Sequence, residues 1–476
     1  MARNWTIEDL EYWDARIQEK VREFGLACFP QEFEVCDHEQ MLGYMAYHGM
    51  PAHYPHWSFG KAYEKLRTLY RYGVSGLPYE MVINTAPSLA YLMRENSLCL
   101  QILTIAHVYG HNDFFRNNFS FRDTRPELAI AHFKLRAERV RHYVEDPSIG
   151  PQRVEEILDA AHALSLQCRR DTAIRKLSRA EQQDRALADA IPPRDPYAGI
   201  HKAREYHAPD LNRIPLEPEE DILLFIAENQ PYLSEWQKDL LRIVHEESRY
   251  FIPQIETKIM NEGWASYWHF QIMNNLDLPE DLYLEFLVHH NQVVRPHPGD
   301  INPYYLGFRV WADIRQRYDG ESQGAGQRKI FEVRETDRDA SFLRRFLTEP
   351  LMRDMDLFEY RRDQGQTVIS QISDADHWES VRDSLLKNVG MATVPVIRIT
   401  DADFRHNRVL LLRHAHDGRD LQREYLEKTL GYLHRLWGRQ VLLETTVSGA
   451  SVTFSYDNSG LGEIRTGSAE QRNTHA

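Results

Sequence analysis

Residues 98–118 read LCLQILTIAHVYGHNDFFRNN. From Leu98 to Val108 almost every residue is apolar, which predicts a helix buried in the protein core. His107 and His111 interrupt the apolar run at i,i+4 spacing, so both project from one face of the helix. Buried imidazoles need partners, and this spacing is typical of zinc sites. The pair therefore predicts either a metal site or hydrogen-bonded core histidines.

Length and charge exclude several classes of protein. The chain has 476 residues, enough for about two or three domains, and a net charge of −14. This acidity argues against binding to nucleic acid or to anionic lipid. There is no apolar run of about 18 residues that would predict a membrane span, and no apolar secretory segment at the polar N-terminus. Because the four cysteines form no CxxC pair, we predict a reduced, cytoplasmic protein.

A second apolar helix offers further metal ligands. It contains KIMNEGWASYWH, residues 258–269, and Pro253 is well placed to begin it. Glu262 and His269 share one side of this helix, and Gly263 allows close approach of another backbone. Catalytic zinc has three protein ligands and one open position. We therefore predict that Glu262 and the histidine pair bind a divalent metal, with zinc as the first choice. His269 would be either an extra ligand or a residue that contacts a ligand and holds it in place.

Several other side chains are weaker candidates for the same site. His290 could be an additional ligand, and Asp113 could orient an imidazole. His56, Trp57 and Trp264 are predicted to line the pocket. The alternative for His56 is a residue that only shapes a proline-rich turn, and for the others it is an ordinary hydrogen-bonded or aromatic core.

The pattern of helix-like and strand-like segments along the chain predicts an α+β fold. A mainly helical core comprises residues 1–168 and 216–318 and carries both motifs. A charged, proline-containing excursion occupies residues 169–215. After the glycine-rich stretch GESQGAGQR, which resembles a linker, residues 330–460 form a small α+β domain, and residues 461–476 a disordered tail. The predicted strands of the small domain are 367–373, 394–400, 409–415, 441–447 and 451–457.

Five segments together resemble the stage V sporulation protein R (SpoVR) family. They are HWSFGK (56–61), PYEMVINT (78–85), AYLMRENSLCLQILTIAHVYGHNDFF (90–115), KIMNEGWASYWH (258–269) and NPYYLGFRVW (302–311). The resemblance extends over essentially the whole chain. It implies a cytoplasmic protein linked to spore cortex formation, or to a stationary-phase or stress response in bacteria that form no spores. It also implies a PrkA-type serine kinase and a von Willebrand A-like protein as partners, but no established reaction.

A second resemblance concerns chemistry. Certain zincin-like peptidases combine an HExxH or HExxxxH helix with a later EGWA helix whose glutamate binds zinc. His107, His111 and Glu262 match those ligand positions, which implies a zincin-like core. Val108, however, stands where these peptidases carry their general-base glutamate.

The missing carboxylate leaves the function open. A general base accelerates a reaction by about 10²–10⁴-fold, so the site is either inactive or uses a base from elsewhere, for which Glu80, Asp113, Glu246 and Glu247 are candidates. We predict a metal-dependent, hydrolase-like protein. The alternatives are a non-catalytic scaffold or regulator in a serine-kinase-linked stress assembly and, with the same ligands, a non-haem iron oxygenase.

Overall fold

The structure is a computed structural model that describes residues 5–72, 80–170, 175–191, 208–297, 300–363 and 366–465. The α-helices, in chain order, are α1 (Ile7–Glu23), α2 (His38–Ala46), α3 (Trp57–Arg71), α4 (Leu98–Asn117), α5 (Ala129–Glu145), α6 (Pro151–Ala163), α7 (Arg179–Ala190), α8 (Ile222–Asn229), α9 (Glu235–Glu256), α10 (Lys258–Met273), α11 (Glu280–Val293), α12 (Pro303–Glu321), α13 (Ala325–Thr336), α14 (Asp339–Phe346), α15 (Glu349–Asp354), α16 (Trp378–Leu386) and α17 (Arg423–Trp437). The strands are β1 (Gln31–Cys36), β2 (Glu80–Ile83), β3 (Ser88–Met93), β4 (Glu359–Asp363), β5 (Gln366–Gln371), β6 (Ile397–Phe404), β7 (Val409–His414), β8 (Val441–Val447), β9 (Ala450–Asp457) and β10 (Gly460–Arg465). None of the described helices combines the length and the hydropathy needed to cross a membrane.

The chain forms two compact units, each from two separate stretches of sequence. The first unit comprises residues 1–142 and 250–393, and the second comprises residues 143–249 and 394–476. The predicted α+β class is confirmed. The predicted domain boundary before residue 330 is wrong, because α13 and α14 pack with α12 and α10 of the first unit.

The glycine-rich stretch is a helix contact and not a linker. A Cβ atom on Gly326 would lie 2.1 Å from the carbonyl oxygen of Arg315 in α12. The Gly326 amide also donates to Asp319 Oδ1 at 2.8 Å. The glycine is needed because α13 folds back directly onto the α12 backbone.

Helix α4 is the central helix of the first unit. Its side chains are buried continuously from Cys99 to Phe115, and Ser97 caps its first turn by accepting a hydrogen bond from the Leu100 amide. Helices α1, α10, α11 and α13 and strands β2 and β3 all contact it. This enclosure explains why the helix is apolar on every face.

Glycines allow α4, α10 and α12 to pack with their backbones in contact. A Cβ atom on Gly110 of α4 would lie 2.6 Å from Ala265 Cα of α10. On the other side of α10, a Cβ atom on Gly263 would lie 2.3 Å from Gly307 Cα of α12, and one on Gly307 would lie 2.1 Å from Ile259 O. The close approach predicted at Gly263 is confirmed, and α10 is held tightly between its two neighbours.

Pro253 does not begin a helix, contrary to the prediction. Helix α9 continues through it, and α10 begins only after Thr257. The start of α10 is capped from α14, where the two carboxylate oxygens of Asp339 each accept a hydrogen bond at 2.8 Å, one from the Ile259 amide and one from the Met260 amide. An acidic cap stabilises the positive end of the helix dipole.

A small sheet in the first unit places one acidic residue beside α4. Its strand order is β1–β3–β2, with β3 parallel to β1 and antiparallel to β2. Strand β2 lies within the segment PYEMVINT (78–85), and its first residue, Glu80, pairs with Leu92. Because β2 contacts α4, the Glu80 side chain can reach the histidine pair.

The second unit contains a five-stranded sheet with the order β10–β9–β8–β7–β6. The four predicted strands between residues 394 and 457 are confirmed as β6 to β9. The fifth, 367–373, forms β5, which instead pairs with β4 in the first unit. The tail predicted from residue 461 begins as strand, because β10 pairs with β9 along its whole length. Residues 466–476 lie outside the described residues.

Candidate metal centre

Two imidazoles and two carboxylates converge in the first unit. Nε2 of His111 lies 3.5 Å from Oε2 of Glu262, and Nε2 of His107 lies 3.9 Å from the same oxygen. Oε1 of Glu80 lies 3.8 Å from Nε2 of His107. Tetrahedral zinc with bonds of about 2.0–2.2 Å separates its ligand atoms by about 3.3–3.6 Å. These three nitrogen–oxygen distances are therefore close to the spacing that a metal requires.

Two atoms of this cluster are buried without a partner. Nε2 of His107 and Oε2 of Glu262 have no hydrogen bond to any of the residues that the structure describes. Leaving such an atom unsatisfied costs about 1–3 kcal/mol. A divalent cation between the two atoms would satisfy both, and imidazole nitrogen with carboxylate oxygen suits zinc, iron or manganese. The donor set therefore fits a metal ion.

Asn261 determines which nitrogen of His111 is free. Oδ1 of Asn261 lies 2.9 Å from Nδ1 of His111. An amide oxygen can only accept, so Nδ1 of His111 carries the proton and donates it. The lone pair of the neutral ring is then on Nε2, the atom nearest Glu262, as a metal ligand requires.

Three imidazoles form a hydrogen-bonded chain behind the cluster. Nδ1 of His107 contacts Nδ1 of His269, and Nε2 of His269 contacts Nδ1 of His290, both at 2.8 Å. A neutral imidazole has one donor and one acceptor. If His107 donates from Nδ1, His269 accepts and in turn donates to His290. This arrangement satisfies both contacts and leaves Nε2 of His107 with a lone pair directed at the cluster.

Burial keeps His111, His269 and His290 uncharged. It lowers the pKa of His111 to about 4, with a further contribution from His107, and lowers the pKa of His290 to about 4. Burial, followed by the charges of the neighbouring histidines, lowers the pKa of His269 well below its usual value. The neutral form is the one that binds metal ions.

The two carboxylates have different proton affinities. Burial raises the pKa of Glu80, and the charge of Glu262 raises it further, against the effect of His107. Burial also acts to raise the pKa of Glu262, but contact with His107 and the electrostatic interactions with His111 and His107 outweigh it, so this pKa is lowered. Glu262 is therefore the carboxylate that stays ionised, and Glu80 the one that more readily holds a proton.

Tyr304 and Asn261 belong to the site although no sequence pattern singled them out. The Tyr304 ring faces that of His107, with centroids 6.2 Å apart and the two planes inclined by 30°. The charge of Glu262, then burial and the charge of Glu80, raise the pKa of the Tyr304 phenol well above its usual value. The phenol therefore remains a hydrogen-bond donor. Its only signal in the sequence was its position in the NPYYLGFRVW segment.

Asp113 does not orient an imidazole, contrary to the prediction. Both of its carboxylate oxygens accept from Arg334 Nη1 at 2.7 Å, and it also accepts from Trp264 Nε1 and the Ala27 amide. Trp264 itself is fully buried and packs against the Trp311 ring. Both residues belong to a buried polar and aromatic core, which removes them as candidates for base and pocket wall.

The remaining candidates belong to α3 and α9. His56 is the N-cap of α3 and accepts from the Ser58 amide at 3.3 Å. Trp57 is 51% exposed, and its place in a pocket wall stays a prediction. Glu246 and Glu247 are on α9, in the part of that helix that belongs to the second unit.

The metal-free protein is expected to lose stability as the pH falls, in part because of His290. Its pKa is about 4 in the folded protein and 6.5 ordinarily, so the unfolded chain takes up the proton first. Neutral His290 contributes about 3 kcal/mol to the free energy of unfolding. This contribution is complete above pH 6.5 and is lost as the pH falls through 4.

Urea unfolding at pH 7 and pH 5 tests this expectation. Between pH 7 and pH 5, the free energy of unfolding should fall by about 2 kcal/mol more in wild type than in His290→Asn. The asparagine retains an acceptor for His269 but does not titrate. Parallel pH dependence in the two proteins would refute it.

The fold and the site define an α+β protein with a buried histidine–glutamate cluster on two closely packed helices. Residues 4–394 match the family described as SpoVR like protein, and residues 395–448 match the SpoVR-like C-terminal domain. The chain belongs to the SpoVR family, as its motifs predicted. A relative from Escherichia coli (strain K12), whose name is “Uncharacterized protein YcgB”, is 34% identical over 492 residues, covering 94% of each chain. No solved structure matches the chain.

Proposed function

We propose that the first unit is a zincin-like, metal-dependent hydrolase core in which His107, His111 and Glu262 hold a divalent metal, zinc before others. The observation that carries the proposal is the pair of buried, unpartnered atoms, His107 Nε2 and Glu262 Oε2, 3.9 Å apart. The hydrogen bonds at the two Nδ1 atoms support it, since they direct both Nε2 lone pairs towards this point.

Glu80 is the general base that this proposal requires. A bound zinc ion would polarise a substrate carbonyl and lower the pKa of a water to about 7. Val108 cannot accept the proton of that water, whereas Glu80, 3.8 Å from His107 Nε2, is within reach. Its raised pKa makes it a stronger proton acceptor than an ordinary glutamate, which suits a general base. The Tyr304 phenol, which stays protonated, can donate a hydrogen bond to the oxyanion of an attacked amide or ester.

The biological role proposed here rests on the family. We propose a cytoplasmic protein that acts in spore cortex formation or in a stationary-phase or stress response, together with a PrkA-type serine kinase and a von Willebrand A-like protein. Its effect on the cortex would be indirect, because the cortex lies outside the cytoplasm.

A second candidate function is a non-catalytic scaffold or regulator in the same kinase-linked assembly. Val108 favours the scaffold, since it stands where zincin-like peptidases carry the glutamate that activates water. A non-haem iron oxygenase would use the same two histidines and one carboxylate. The identity of the bound metal separates the oxygenase from the hydrolase.

Hydrolysis is tested with the full chain, demetallated and reloaded with zinc, incubated with a proteome-derived peptide mixture and analysed by mass spectrometry. The hydrolase predicts new termini that depend on zinc and disappear with Glu80→Gln while zinc remains bound. The scaffold predicts no cleavage, together with unchanged stress survival of cells that carry Glu80→Gln.

Asn261→Leu is expected to weaken zinc binding about 10–100-fold, because His111 loses the acceptor that holds its ring and tautomer. Competition with a chromogenic chelator measures the change. Asn261→Asp, which retains an acceptor oxygen, is the matched control and should bind zinc at least as tightly as wild type. Equal affinity of the leucine variant and wild type would contradict the role assigned to Asn261.

A further inference from the structure

The second unit contains another group of side chains with metal-binding chemistry. Sγ of Cys168, a carboxylate oxygen of Asp221 and a ring nitrogen of His245 all lie within 4.8 Å of one another. The three residues are 2%, 6% and 5% exposed. We propose that they form a zinc site with three protein ligands, independent of the histidine–glutamate cluster of the first unit.

Three separate segments build this site. Cys168 follows α6, Asp221 is the N-cap residue of α8, and His245 lies in α9. The Ile222 amide donates to the Gln167 carbonyl at 3.1 Å, which fixes the cysteine segment beside the start of α8. A metal ion here would tie the three segments together, as structural zinc does.

The donor set selects the kind of metal. Thiolate with imidazole and carboxylate suits zinc, whereas magnesium and calcium prefer oxygen ligands alone. Zinc binding would convert the Cys168 thiol, which now donates to the Ser165 carbonyl at 3.0 Å, into a thiolate and release its proton to solvent.

A nucleophilic cysteine is the alternative that the surroundings disfavour. Burial, together with the charge of Asp221, raises the pKa of Cys168 to about 12 in the absence of a cation, so the thiol is not activated. The burial of all three side chains also leaves a substrate no direct access. A cation removes the difficulty, because it stabilises the thiolate beside the carboxylate.

The existing contacts need only a small adjustment. Nε2 of His245 lies 2.7 Å from Oδ2 of Asp221, and zinc between them would widen this separation to about 3.3 Å. The other oxygen, Oδ1, would continue to cap α8 through the Leu224 amide, now at 3.2 Å. Three protein ligands and one water would complete the tetrahedron.

Cobalt(II) titration of the demetallated, reduced full chain tests the proposal. A thiolate ligand adds an intense charge-transfer absorption in the near ultraviolet, which a site of histidine and glutamate cannot produce. We expect this absorption in wild type and in His107→Ala, and its loss in Cys168→Ser. Cys99→Ser is the matched control, since Cys99 is also buried and donates to a carbonyl, that of Leu282 at 3.2 Å, and it should retain the absorption.

Two results would overturn the site. Wild-type protein with cobalt but without the thiolate absorption would exclude Cys168 as a ligand, and this measurement needs no variant to fold. Retention of the absorption in folded Cys168→Ser would assign it to another cysteine. Should that variant not fold, His245→Gln takes its place, and an unchanged wild-type spectrum in His245→Gln would equally contradict the proposal.

Discussion

Gly307→Ala is expected to destabilise the first unit by about 3 kcal/mol, the upper part of the usual range for an overpacked core. The added methyl group would lie 2.1 Å from Ile259 O and 2.6 Å from Gly263 Cα. Both neighbours are backbone atoms of α10, so no rotamer change can relieve the clash. Helix α10 must move away, and because it carries Glu262, zinc affinity should fall as well.

Gly320→Ala is the matched control on the same helix. A Cβ atom there meets nothing within 4 Å, so alanine should stabilise the helix by up to about 1 kcal/mol. Urea unfolding of the three proteins measures both changes. Unfolding of Gly307→Ala at the wild-type midpoint would show that α10 and α12 are not in the close contact described.

The second large effect is expected for His111→Ala, which removes a metal ligand. Zinc sites bind with about 10–16 kcal/mol in total; shared among three protein ligands and a water this is about 2.5–4 kcal/mol each, or a loss of about 10²–10³-fold in affinity. The metal-free fold should persist, because α4 keeps its apolar contacts on all sides.

Zinc competition with a chromogenic chelator measures this loss. His406→Ala is the control, since His406 is 93% exposed and should bind zinc like wild type. Wild-type affinity in folded His111→Ala would remove this histidine from the site and leave its Asn261 contact as ordinary core hydrogen bonding.

Local patterns were enough to predict the elements that carry the site. The i,i+4 histidine pair and Glu262 lie on apolar helices whose periodicity is visible within one segment, and the structure brings all three together. The strands between residues 394 and 457 could be predicted for the same reason, since alternation and turns are local properties.

Contacts between distant residues explain what the sequence did not reveal. The cap of α10 comes from Asp339, 80 residues after Ile259. The partner of Asp113 is Arg334, 221 residues away, and without it the aspartate resembled a site residue. Tyr304 reaches the cluster only because Gly307 lets α12 lie against α10, a packing relation that no periodicity expresses.

Anomalous diffraction at the zinc edge, from crystals of the zinc-loaded full chain, tests whether His107, His111 and Glu262 hold a metal ion. The predicted result is an anomalous peak about 2.0–2.2 Å from both Nε2 atoms and from Oε2 of Glu262. Absence of a peak between these three side chains, in crystals whose protein binds zinc elsewhere or not at all, would contradict it.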